Sequence, residues 1–391
     1  MRPEIKKDFS RFLNAAPGRL HMAAHSHHYW PDITFDAHMQ AWLDAAAMTD
    51  KKWPHIFETV FADVKKGIAA VLNLPDSNTI CFAPNTHEFV NRIFSCLPVD
   101  RAVKVITTDS EFYSFDRQLR RMEEDGIVTV KRIPTEPPAT FTTRFAKAVG
   151  EMEDADLVFI SHVFFNSGYA VKPLSEIVRA VKDDNTLVVI DGYHGFMATP
   201  MDMGPMADRA FYMGGGYKYA MSGEGACFMH CPPGYGARPR NTGWFAEFGT
   251  LGKPKTSHID YGTDGSRFAG ATADPTGFYR MRAVFEWLKL RNITVDDLHK
   301  HAHALQEAFV EGLTALGLEK LNPSQLAVPV NEQKRGNFLT FRTAQAAEIS
   351  ENLKAQNVLT DYRGDCLRFG FGPYHDAGDI ARLLEMIKKH A

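Results

Sequence analysis

Cysteine is scarce: five residues in 391, at Cys81, Cys96, Cys227, Cys231 and Cys366. The number is odd and most of them sit inside apolar runs, which argues against a disulfide framework and for reduced, buried thiols. Cys227 and Cys231 are four apart, but no second pair or nearby histidine completes a zinc site, so no metal is expected. Long blocks of one charge sign are missing and the net charge is −3, which leaves nucleic-acid and membrane-surface binding without electrostatic support. No apolar stretch approaches the roughly 20 residues of a membrane span. The start, MRPEIKKDFSRFLNAAPGRL, lacks the sustained apolar region of a signal peptide. Internal repeats and low-complexity tracts are absent too. What remains is 45% apolar and 23% charged, ordinary for a globular protein, with a cytoplasmic location as the default expectation.

The length suits one large α/β unit with an appendage, or two domains. Short apolar, β-branched runs predict strands at Ile80–Phe82, Val103–Thr107, Val128–Ile133, Leu157–Val163, Leu187–Ile190, Ala210–Met213 and Ala226–His230. Helix signals fall between the earlier ones, at Asn85–Leu97, Phe112–Glu124, Arg144–Glu151 and Pro173–Lys182. Such alternation predicts a mostly parallel, helix-covered sheet of seven strands. Further on, strands at Asn337–Arg342 and Cys366–Gly370 alternate with helices, an α+β pattern. The expected division is a helical N-terminal segment (1–72) packing on the small domain and active site, a large domain (73–276) and a small C-terminal domain (277–391). A long Gly- and Pro-rich stretch from Cys231 to Thr276 carries aromatic and arginine residues, as functional loops do.

The chemistry concentrates in LVVIDGYHGFMATPMDMGPMADRAFYMGGGYKY, Leu187 to Tyr219. One apolar run ends in Asp191, with His194 three residues on, and the next ends in three glycines before Tyr217 and Lys218. Both runs would finish at the carboxyl edge of the sheet, where open α/β sheets bind ligands. A lysine there can form a Schiff base if its pKa is depressed, and an acid can keep a pyridine nitrogen protonated. Each residue alone has a plainer reading, a surface lysine and an N-cap aspartate. Asn85-Thr86-His87-Glu88 opens a helix after a strand, a natural phosphate site or an ordinary cap. In Ser110-Glu111-Phe112-Tyr113, Phe112 offers a ring to stack on a planar group or to fill the core.

NTHE (Asn85–Glu88), DGYHG (Asp191–Gly195), GGGYKY (Gly214–Tyr219), TGWF (Thr242–Phe245) and LRFGFGPYHD (Leu367–Asp376) occur in the order found in the class V aminotransferase superfamily. From about residue 75 onward the chain resembles these fold-type I pyridoxal 5'-phosphate (PLP) enzymes, and among them kynureninase most. The resemblance implies that Lys218 carries the cofactor, Asp191 binds its pyridine nitrogen and His194 orients Asp191. Phe112 would stack on the ring, and Thr86 and His87 would hold the phosphate. Tyr217 would donate to the phosphate and serve as a proton donor. Trp244 and Thr272 resemble phosphate ligands supplied by the partner subunit of a homodimer. Arg368 resembles the arginine that binds a substrate carboxylate, and Asn166 and Ser167 lie on a loop that approaches the cofactor or substrate. Departures fall where the aryl end of a substrate would sit: Ala246-Glu247 after Phe245, Thr272-Ala273-Asp274-Pro275, and the N-terminal AHSHHYW.

The implied activity is hydrolysis of the Cβ–Cγ bond of a kynurenine-type amino acid. Transamination to a 2-oxo acid shares its first steps. Cysteine desulfuration is less expected, because none of the cysteines falls on an obvious mobile loop. A non-catalytic α/β binding protein is the reading from another class. His25, His27 and His28 have no zinc-site spacing. They are read as active-site lining, with His25 and His28 as substrate contacts, or as simple packing.

Overall fold

The computed structural model describes residues 3–389 apart from 237, 251, 253, 255 and 256. Its strands are β1 (Leu20–His21), β2 (Ile80–Ala83), β3 (Val103–Thr108), β4 (Val128–Ile133), β5 (Leu157–Ser161), β6 (Leu187–Asp191), β7 (Ala210–Gly215), β8 (Cys227–His230), β9 (Phe338–Arg342), β10 (Val358–Leu359), β11 (Asp361–Arg363) and β12 (Cys366–Gly370). Seven of them form one sheet in the order β2-β8-β7-β6-β5-β3-β4. Neighbours pair in parallel except at β8, which runs antiparallel to both β2 and β7. The runs that build β5, β6 and β7 are buried at every position, as required of strands covered on both faces. One apolar cluster, including Val188, Ile190 and Tyr212, fills one side of the sheet. A second, including Leu187, Val189 and Phe211, fills the other. The seven strands match the expected runs to within two residues at either end.

The glycines that end β7 are there for packing. A Cβ on Gly215 would lie 2.2 Å from the Tyr193 hydroxyl, and one on Gly214 would lie 2.9 Å from the Phe228 ring. Only hydrogen fits at these positions.

β9, β11 and β12 form a second, antiparallel sheet in the order β11-β12-β9. Helices Val295–Leu316 and Ala377–Lys388 pack on it around Leu339, Phe341, Leu367 and Phe369. The N-terminal chain joins the two parts. β1 pairs in parallel with β10, Ala23 bridges to Gly370, and the His28 N–H donates to the Tyr217 carbonyl at 3.0 Å. The helix Ile33–Met48 then lies along Thr276–Arg291. Among the described residues no helix is long and apolar enough to cross a membrane.

Candidate active site

Chain order in the large sheet reverses between β3 and β5, with β4 outside β3 and β6 and β7 continuing the other way. Such a switch point opens a crevice at the carboxyl ends of the strands. Glu111 and Phe112 follow β3, Ser161 ends β5, Asp191 ends β6, Lys218 follows β7, and the helix Thr86–Phe94 follows β2. They surround a cavity of about 240 Å³ lined by Asn85, Thr86, His87, Phe112, Ser114, Ser161, Asp191, Tyr193, His194, Tyr217 and Lys218.

Lys218 is 5% exposed and stands 5.6–5.8 Å from the centres of the Phe112, Tyr193 and Tyr217 rings. Burial pushes its amine down to about 7, and the nearby Arg368 guanidinium adds to the shift; Asp191 opposes it. The amine donates to His194 Nε2 at 2.5 Å. Burial, then the Lys218 charge, holds that imidazole neutral. Asp191 Oδ1 accepts the Tyr193 N–H at 2.9 Å. Burial pushes the Asp191 carboxyl up to about 6, so it gains by acquiring a cationic partner in the cavity. At the other end, Asn85 accepts the Glu88 N–H at 3.1 Å and caps the helix whose first residue is Thr86. The helix start brings partial positive charge and free N–H groups to the cavity.

These features fit PLP. A nearly neutral buried amine meets its aldehyde, a carboxylate its ring nitrogen, the Phe112 ring its face, and a helix start its phosphate. Of the residues expected from sequence, Thr86, His87, Phe112, Asp191, His194, Tyr217 and Lys218 are thus brought together. Trp244, 45% exposed, packs on Phe245 and Phe248, and Thr272 is exposed; neither lines the cavity. Asn166 and Ser167 also stand outside it, where Ser167 Oγ accepts the Tyr169 N–H in a turn. The loop reaches the site through Phe165, whose ring packs 5.6 Å from Phe112. The Phe165 carbonyl accepts Arg368 Nη1 at 2.7 Å.

Arg368 also donates to Asp361, and its Nε has no hydrogen-bond partner. Asp361 accepts from Arg363 at 2.8 Å. Against its burial, the His25 contact and the Arg368 guanidinium hold the Asp361 carboxyl well below the usual range. His25 stands 3.6 Å from Asp361 and stacks on Phe338 at 4.8 Å, and neither ring nitrogen makes a hydrogen bond. His28 is buried against Tyr219 and Tyr374, whereas His27 stacks on Tyr217 at 5.2 Å from outside. The three histidines therefore point into separate surroundings.

Sequence reasoning assigned no role to Tyr193, Ser161, Ser114 or Glu111. No signal in the sequence marks Ser161, because which strand lies beside β6 is set by the sheet order.

The model of the family Aminotransferase class-V matches residues 39–383. The chain belongs to that family. Membership makes it a PLP-dependent enzyme and sets aside the expectation of a non-catalytic binding protein. Among similar proteins, a probable cysteine desulfurase of Vibrio cholerae is 20% identical over 84% of this chain and 82% of its own. Kynureninase of Burkholderia mallei is 24% identical over 57% of this chain, which spans about half (53%) of that enzyme. Among solved structures, the cystine C-S lyase C-DES in complex with cysteine persulfide superposes with a TM-score of 0.79. It is 18% identical, over 97% of this chain and all (100%) of that one, so it shows the shared fold.

Proposed function

We propose that this class V enzyme is a PLP-dependent hydrolase of the kynureninase type. It would cleave the Cβ–Cγ bond of an amino acid with an aroyl side chain, releasing an aromatic acid and alanine. The cofactor part of the reading rests on Lys218, buried beside His194 and sharing one cavity with Asp191; the reaction type rests on the resemblance of the YKY, GWF and RFGF stretches to kynureninase. When bound, PLP supplies an electron sink that loosens bonds at the substrate α-carbon. Lys218 would anchor the cofactor and, with its amine held near neutral, take up the α-proton. Asp191 would hold the pyridine N–H. Thr86 and the helix start would take the phosphate. Tyr217, whose phenol burial keeps protonated up to about 12, would donate a proton. Arg368, held by the Phe165 carbonyl and Asp361, would bind the substrate carboxylate through its remaining N–H groups.

Cysteine desulfuration is the second reading, favoured by the relative that matches over most of the chain. It needs an accessible thiolate, and the five thiols fit that need poorly. Cys227 is fully buried and donates to the Gly214 carbonyl at 3.0 Å, and burial pushes it up to about 12. Cys81, Cys96 and Cys231 are pushed up by burial as well, and so is Cys366 on β12. Trp244 and Thr272 would then contribute to the partner's half of a shared site, so sedimentation should give a homodimer. Residues 73–276 are then the cofactor-binding part, and 277–391 the smaller part that brings Arg368.

The test is direct. Purified protein should be yellow, and borohydride should fix a pyridoxyl group on Lys218. Kynurenine or 3-hydroxykynurenine should yield the aminobenzoate and alanine without any 2-oxo acid. Lys218→Arg should lower the rate roughly 10²–10⁴-fold. Turnover only with a 2-oxo acid, or sulfur release from cysteine instead, would sink the hydrolase reading.

A further inference from the structure

Glu111 is a buried carboxyl that the chemistry above does not use. It is 5% exposed and sits between the end of β3 and Phe112. Its Oε1 accepts the Thr108 hydroxyl at 2.7 Å and the Ser161 N–H at 3.2 Å, and its Oε2 accepts the Ser161 hydroxyl at 2.6 Å. Thr108 Oγ1 in turn accepts the Ser110 N–H at 3.1 Å, so the whole connection from β3 to Phe112 is pinned to the end of β5. Ser161 is the register partner of Asp191 across β5 and β6, and both line the cavity.

A serine hydroxyl has one proton and two lone pairs. Ser161 spends its proton on Glu111, so its oxygen meets the cavity as an acceptor. We propose that Glu111 is a positioning residue of the cofactor site, fixing the Ser161 hydroxyl as a hydrogen-bond acceptor beside Asp191 and holding Phe112 at the ring face. With PLP bound, Ser161 would accept from an O–H or N–H at the edge of its ring. Burial pushes the Glu111 carboxyl up to about 7, its hydrogen bonds from Ser161 and Thr108 oppose this, and Asp191 adds to it. A buried carboxyl without a cation is expensive to keep, which is why a structural role alone explains it poorly.

The inference rests on this cavity being the PLP site. Titrating PLP into wild-type apoprotein tests that premise separately: no binding there would overturn the cofactor reading itself. Given binding, Glu111→Gln keeps the shape but presents an amide N–H to Ser161 and turns the serine proton into the cavity. PLP affinity should fall about tenfold, and the visible absorption of the holoenzyme without substrate should shift. Ser161→Ala should weaken PLP to a similar extent. The double variant should be no weaker than Ser161→Ala alone, since one link is being cut twice. Should Glu111→Gln fail to fold, Thr108→Val removes another hydrogen bond to the same carboxyl and takes its place in the cycle. Unchanged affinity and spectrum in the Glu111 or Thr108 variant, or effects that multiply in the double variant, would overturn the proposal.

Discussion

Lys218 bears a conflict that only the bound cofactor removes. Its charged form is disfavoured by burial and by Arg368. Between about 7 and the ordinary lysine value of 10.5, the folded chain therefore binds fewer protons than the unfolded one. For a group of this kind stability rises with pH across that window. The cost is fully present below pH ~7 and is relieved as the unfolded lysine also loses its proton. A shift of this size corresponds to roughly 5 kcal/mol. Lys218→Met, similar in volume and uncharged, should raise the thermal midpoint of the apoprotein at pH 6, with a gain that shrinks toward pH 10. A midpoint unchanged at pH 6 would show that water reaches the amine. Asp191 and Lys218 were legible in the sequence because each closes an apolar run, and the end of a parallel strand is a fixed place. Ser161 and Glu111 were not, because their meaning depends on β5 lying beside both β3 and β6. Residue pattern carries no record of strand order.

Among the elements, β5, β6 and β7 could be read most plainly because burial on both faces leaves an unbroken apolar signature. β1, β10 and β11 could not, since strands of two or three residues have no period to detect. The histidine-rich segment hid its role for the same reason. It is a strap that pairs with β10, crosses Gly370 and hydrogen-bonds to the lysine loop at Tyr217. It packs closely on Gly370, where a Cβ would lie 2.4 Å from His25 Nδ1 and 2.6 Å from the His25 backbone nitrogen. Neither side can yield without moving β12, which carries Arg368. Gly370→Ala should cost about 2 kcal/mol or more, whereas Gly249→Ala, with nothing within 4 Å of its added carbon, should be close to neutral. Urea midpoints of the two variants check this. Equal midpoints would mean that the strap is not tightly seated.

At the scale of the whole molecule, the interior holds an unusual number of neutral histidines. Burial pushes His25, His162 and His375 down to about 3 and His28 and His230 to about 4, and it lowers His21 and His194 as well. They lie in the strap, the large sheet and the C-terminal part alike, so no single region escapes. For each, the unfolded state takes up a proton near pH 6.5 while the folded state declines it until far lower. Stability from these groups is therefore present above 6.5 and is lost as pH falls toward their folded values. Glu111 and Asp191, pushed up to about 7 and about 6, act in the opposite sense over the same window, but they are outnumbered, since burial lowers His299, His301 and His303 as well. Each uncompensated proton costs about 1.4 kcal/mol per pH unit, and a folded domain has only about 5–15 kcal/mol to lose. The protein should unfold cooperatively between pH 6.5 and 4, before the histidines reach their folded pKa values. Urea midpoints at pH 7.5, 6 and 5 should fall ever more steeply. A midpoint that holds to pH 4.5 would mean that the imidazoles protonate within the native state and that the interior opens to water without unfolding.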